Sequence, residues 1–88
     1  MRIWFKLWED SHLIRQETVE DLTEDTRTHK VMRSLEEACR RLDLGRPIWL
    51  DKNIREFQNR SRTRFSKDNF VEDISFDYLE IQVLEEDD

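Results

Sequence analysis

Thr26–Leu44, TRTHKVMRSLEEACRRLDL, is the stretch on which the reading of the fold turns. Val31, Leu35, Ala38 and Leu42 recur at i, i+4, i+7 and i+11, which is one face of a helix at 3.6 residues per turn. Met32 and Cys39 widen that face to a stripe broad enough for a core. Arg33, Glu36, Glu37, Arg40 and Arg41 fall mostly off it and stay in water. Glu36–Arg40 and Glu37–Arg41 are i,i+4 pairs in the favourable order, each adding roughly 0.2–0.5 kcal/mol. Thr23 and Thr26 are candidate N-caps, and Glu24 and Asp25 bring negative charge to the positive end of the helix. Gly45, the only glycine, is expected to take the left-handed conformation just past the helix, with Pro47 blocking its continuation.

Outward from this helix the pattern changes period. In Arg2–Trp8, Ile3, Phe5 and Leu7 alternate with Trp4, Lys6 and Trp8, as in a strand. The tryptophan face is not truly polar, which suits a central strand or a face that meets a partner. Glu9-Asp10-Ser11 reads as a turn and His12–Glu20 as a second strand, the two forming an antiparallel hairpin. Leu13-Ile14 interrupts the alternation of that second strand, and Arg15, Gln16 and Glu17 suit an edge. Pro47–Leu50 reads as a short extended segment, and Asp51 as the N-cap of a helix over about residues 52–61, with Leu50, Ile54, Phe57 and Ser61 on one face. Residues 60–65, RSRTRF, lead out of that helix. Ser66 predicts a short helical turn over 67–72, with Phe65 and Phe70 at the spacing of a hydrophobic staple. Ser75–Leu84 is the third main strand, with Leu79, Ile81 and Val83 on one side and Tyr78, Glu80 and Gln82 on the other.

The expectation is one α+β domain over residues 1–88. It has a small antiparallel sheet of three main strands in the order β-β-α-α-β, with 47–50 as a short extra strand. Both helices lie on one face, and residues 85–88 form a frayed acidic tail. The final strand must return beside the hairpin. At 88 residues, 36% apolar and 41% charged, the core is modest, burying about 60–65% of the unfolded surface, and aromatic-rich. A fold of this kind is helped by a partner or a second copy.

Charge is unevenly spread. Residues 1–39 sum to −3, residues 40–67 to +6 and residues 68–88 to −9. Lys52, Arg55, Arg60, Arg62, Arg64 and Lys67 form the basic stretch, a candidate patch for nucleic acid or another anionic ligand, with Trp49 and Phe65 close in sequence. Against this stand the overall charge of −6, which repels a polyanion at distance, and the alternative that these cations neutralise the acidic tail. Trp4, Trp8 and Trp49 are the candidate interaction surface.

Catalysis has little support. Asp77 and Glu80 faintly suggest a metal-binding acidic strand, but three positions apart they point to opposite faces. His12 and His29 lack ligand spacing, and a single cysteine completes neither a disulfide nor a zinc cluster. Cys39 sits beside the core stripe and reads as a buried, inert thiol. No glycine-rich phosphate loop exists. No signal peptide or apolar span is visible, so a cytoplasmic protein is expected, and on size and style a bacterial one. The expected function is a small non-enzymatic interaction module without cofactors, binding a protein partner or itself through charged and tryptophan-bearing surfaces. The alternative is a nucleic-acid-binding accessory protein using residues 52–67.

Overall fold

A computed structural model of the chain describes residues 1–87. Strands β1 (Arg2–Glu9) and β2 (His12–Glu20) form a hairpin, followed by helices α1 (Arg27–Leu42) and α2 (Asp51–Arg60). Strand β3 (Arg62–Phe65), a single 3-10 turn (Lys67–Asn69) and strand β4 (Tyr78–Glu85) complete the chain. The four strands make one antiparallel sheet in the order β2-β1-β4-β3. The architecture is α+β, as expected, and the last strand does return beside the hairpin.

The hairpin closes through Asp10 and Ser11, both left-handed at φ 49° and 65°. A two-residue loop with that handedness matches the right-handed twist of the strands. Asp77 fixes the turn by accepting the Asp10 N–H at 2.8 Å. The interruption at Leu13-Ile14 becomes a bulge: Leu7 faces Arg15 whereas Trp8 faces Leu13, leaving Ile14 as the extra residue.

Ile3, Phe5 and Leu7 of β1, Leu79 and Ile81 of β4, and Phe65 of β3 point to the helix-bearing face and are buried. Val31, Leu35, Ala38, Cys39 and Leu42 of α1 and Phe57 of α2 close over them. The α1 stripe therefore packs as its spacing predicts, except that Met32 is exposed at its margin. Thr26 is the N-cap, accepting the His29 N–H at 3.2 Å. At the other end Asp43, at φ 57°, takes the left-handed position that the sequence assigns to Gly45. The helix stops two residues early, and Gly45 serves another purpose. Its N–H donates to Glu72 Oε1 at 2.8 Å, and a Cβ there would lie 2.5 Å from that same oxygen. Of the expected charge pairs, Glu37–Arg41 forms at 3.0 Å, but Arg40 also bonds Glu37, and Glu36 faces Arg46 instead.

The fourth strand is not where the sequence puts it. Residues 47–50 are irregular, because Ile48 bonds Asn69 through both its N–H and its C=O. The extra strand is Arg62–Phe65, which pairs with β4. Helix α2 also starts one residue earlier than expected, with Leu50 as N-cap and Asp51 in its first turn. The cause is Asn53, whose side chain reaches back to the Leu50 N–H at 3.2 Å. Its inner face is Asn53 and Phe57, while Ile54 and Leu50 remain exposed.

Asn53 and Asn69, both fully buried, tie α2, β3 and the 3-10 turn together. Asn53 Nδ2 donates to Thr63 Oγ1 and to the Arg64 carbonyl, each at 2.9 Å. Asn69 Nδ2 donates to Asn53 Oδ1 and to the Ile48 carbonyl, each at 2.8 Å, and its Oδ1 accepts the Ser66 N–H at 3.0 Å. Buried amides with every arm engaged specify one arrangement, because any shift strands a polar group away from water.

Candidate binding face and basic groove

The face of the sheet away from the helices carries Trp4, Lys6 and Trp8 from β1, Tyr78, Glu80 and Gln82 from β4, and Arg62 and Arg64 from β3. This follows from the registers Lys6↔Glu80, Trp8↔Tyr78 and Arg64↔Glu80. Glu80 is its centre. Its Oε1 lies 3.2 Å from Lys6 Nζ and accepts the Trp8 Nε1–H at 3.1 Å, while its Oε2 is 3.7 Å from Arg64 Nε. Glu80 and Lys6 are only 6% and 8% exposed on a face that no helix covers. Burial pushes the Glu80 carboxyl up, but the Lys6 ammonium, the Trp8 indole and the Arg64 charge outweigh it and hold the pKa below the usual range. The aromatics are engaged as well. Lys6 Nζ lies 3.9 Å from the Trp4 ring centre and the Arg64 guanidinium 4.5 Å from that of Tyr78. Trp8 and Tyr78 lie 6.3 Å apart at 33°, and Trp4 Nε1 donates to Gln16 at 2.9 Å.

Where this face meets α2, Lys52, Arg60, Arg62 and Arg64 line a groove of about 480 Å³ with Glu56, Ser66, Tyr78 and Glu80. Four residues of the basic stretch are thus brought together, although they come from two elements. Arg55 and Lys67 are exposed but lie outside the groove lining. Among the described residues, only Arg64 of the six makes an ion pair, and that is with Glu80.

The acidic terminus does not neutralise the stretch. Glu85 pairs with Arg2, Glu86 with Arg27, and Asp87 bridges the Met1 ammonium and buried Lys30, both at 2.7 Å. Glu85–Asp87 are therefore held rather than loose; Asp88 lies outside the described residues.

The tryptophans divide. Trp4 and Trp8 sit half-buried on the open face. Trp49 lies on the other side of the sheet, edge-on to Phe57 and Phe65 at 5.5 and 5.0 Å, so it belongs to the core margin and not to that surface. Lys6, Tyr78 and Glu80 have no place in the sequence reading of a binding site. Only the register puts Lys6 opposite Glu80, and no local pattern announces it.

Asp77 and Glu80 are separated as their spacing requires, Asp77 capping the hairpin and Glu80 on the open face. Among the described residues, no group of three or more His, Cys, Asp or Glu is gathered for a metal ion, and no helix is long and apolar enough to cross a membrane. Cys39 is buried and its thiol is pushed up to about 11 by that burial, which leaves little thiolate near neutral pH. No protein-family model matches the chain, and neither a curated protein nor a solved structure matches it.

Proposed function

We propose that the protein is a non-enzymatic binding module whose ligand is a single-stranded nucleic acid, held along the groove between α2 and β3 and on the adjoining open sheet face. The observation that carries this reading is the convergence of Lys52, Arg60, Arg62 and Arg64 on one groove while the acidic terminus is paired elsewhere. Phosphates take the guanidinium and ammonium groups, which supply sequence-independent affinity. A base stacks on Tyr78 by displacing Arg64 from the ring, and the released guanidinium turns to a phosphate. The net charge of −6 opposes approach at long range, so affinity rests on these local contacts and is modest.

The test is fluorescence anisotropy of labelled oligo-U and oligo-dT across a salt series. Four phosphate contacts give a log–log slope near −2.8 for a single strand, so affinity falls roughly fifty-fold between about 50 and 200 mM salt. Changing Arg60, Arg62 and Arg64 together to Glu abolishes binding while circular dichroism stays native. Flat curves, or a triple variant that binds like the wild type, refute the reading. A protein partner is the second reading. It is supported by exposed Met32 and Ile54 on an apolar groove of about 230 Å³ between the two helices, whose floor includes Trp49 and Phe57.

A further inference from the structure

Strand β2 ends the sheet on the side opposite the basic groove, and its outer edge is its last unpartnered row of backbone groups. The phase of that row is fixed. Asp21 donates its N–H to the Met1 carbonyl at 2.9 Å, so Val19, Glu17 and Arg15, opposite Ile3, Phe5 and Leu7, are the positions bonded to β1. Gln16 and Thr18 therefore turn their N–H and C=O outward. Arg41 confirms this, since its Nη1 reaches the Thr18 carbonyl from outside at 3.2 Å.

The side chains along this edge read as complementary to themselves. The geometry points to a homodimer formed by antiparallel pairing of β2 with β2 of a second copy, with Gln16 on the two-fold axis. In that register the two Gln16 residues exchange N–H···O=C bonds, and Arg15 of each copy stands opposite Glu17 of the other. His12 likewise faces Glu20. Arg15 and Glu17 both lie on the helix-bearing side. Arg15 donates to the Arg41 and Leu42 carbonyls at 3.1 and 3.3 Å, and Glu17 is 3.9 Å from Arg41. The opposite charges thus meet on one face. Sliding to either adjacent hydrogen-bonding register puts like charges on the axis, Arg15 against Arg15 or Glu17 against Glu17, which is repulsive. Charge on an edge ordinarily deters pairing; here it deters every nearby register but one. The same register brings Leu13 and Ile14, 38% and 45% exposed, beside Thr18 and Val19 of the other copy. The bulge at Ile14 keeps the paired run short, so the dimer is weak, with a Kd on the order of 10–1000 µM, and reversible. It does not depend on the groove, which stays free at the two far ends of a continuous eight-stranded sheet.

Sedimentation equilibrium from micromolar to about 1 mM protein tests this. Arg15→Glu and Glu17→Arg each weaken self-association roughly tenfold, because two attractive cross-strand pairs become repulsive. An equimolar mixture of the two variants restores association to at least the wild-type level, because one copy then offers only carboxylates and the other only guanidinium groups. On the unaltered chain, amide exchange of Gln16 slows as concentration rises. A wild type that stays monomeric at about 1 mM overturns the proposal. So do single variants that associate like the wild type, a mixture no stronger than its parts, or Gln16 exchange that ignores concentration.

Discussion

Replacing Asn53 with alanine should bring this protein close to unfolding. The side chain is fully buried and makes four hydrogen bonds: from the Leu50 N–H, from Asn69 Nδ2, to Thr63 Oγ1 and to the Arg64 carbonyl. The first caps α2, a contribution of about 1 kcal/mol. The other three contribute about 1 kcal/mol each, and more where the abandoned partner finds no water. The expected loss is about 3–5 kcal/mol. A chain of 88 residues, at ~0.05–0.15 kcal/mol per residue, has only about 4–13 kcal/mol in all. Urea unfolding followed by circular dichroism should show the midpoint falling by roughly 1–4 M at the slopes usual for small domains. Asn59→Ala, on the exposed side of the same helix, should stay within about 0.5 kcal/mol of wild type. A loss below about 1 kcal/mol for Asn53→Ala would refute the reasoning that the buried amides pin β3 to α2. The same variant should weaken oligonucleotide binding, because Thr63 and Arg64 lose their anchor.

Asp43→Gly should stabilise the fold by about 0.5–1 kcal/mol, since Asp43 sits at φ 57°, where a side chain is strained and glycine is not; a melting temperature that does not rise contradicts this. Cys39, buried and with its thiol pushed up to about 11, should resist a thiol reagent at pH 8 until the chain unfolds, whereas labelling as fast as in urea would show the site to be open. Acid should unfold the protein progressively as pH drops from about 4.5 towards 2. The Thr23 hydroxyl, opposed by burial and joined by Arg33, holds Asp21 at about 2 against 3.8 ordinarily. Arg40 and Arg41 hold Glu37 at about 2 against 4.5. Lowered folded-state values stabilise above the unfolded pKa and lose that contribution as pH falls through the folded one. Urea midpoints that do not change between pH 5 and pH 3 would exclude it.

Much of the fold is legible in the sequence because it rests on local periodicity. The spacing of Val31, Leu35, Ala38 and Leu42, the alternation of Ile3, Phe5 and Leu7, and the charged His12–Glu20 strand each state which face is buried and which strand is an edge. What periodicity does not carry is the partner of a polar residue. Residues 62–65 are too short and too basic to read as a strand. They become one because Thr63 and Phe65 fall opposite Ile81 and Leu79 and because Asn53 holds the outer carbonyl. Gly45 looks like the helix stop, but Asp43 tolerates the left-handed turn, and the glycine is needed where Glu72 approaches.

The candidate site divides in the same way. The sequence by itself determines that residues 52–67 are basic and residues 68–88 acidic. Whether those charges cancel depends on which strands are neighbours, and only the tertiary structure decides it. Strand β4 runs between β1 and β3, so its far end delivers Glu85–Asp87 to Arg2, Arg27, Lys30 and the Met1 ammonium. The basic groove keeps one buried carboxylate, Glu80, which Lys6 already shares. Electrostatic pairing acts over a few ångströms of space, and distance along the chain says nothing about which charges come that close.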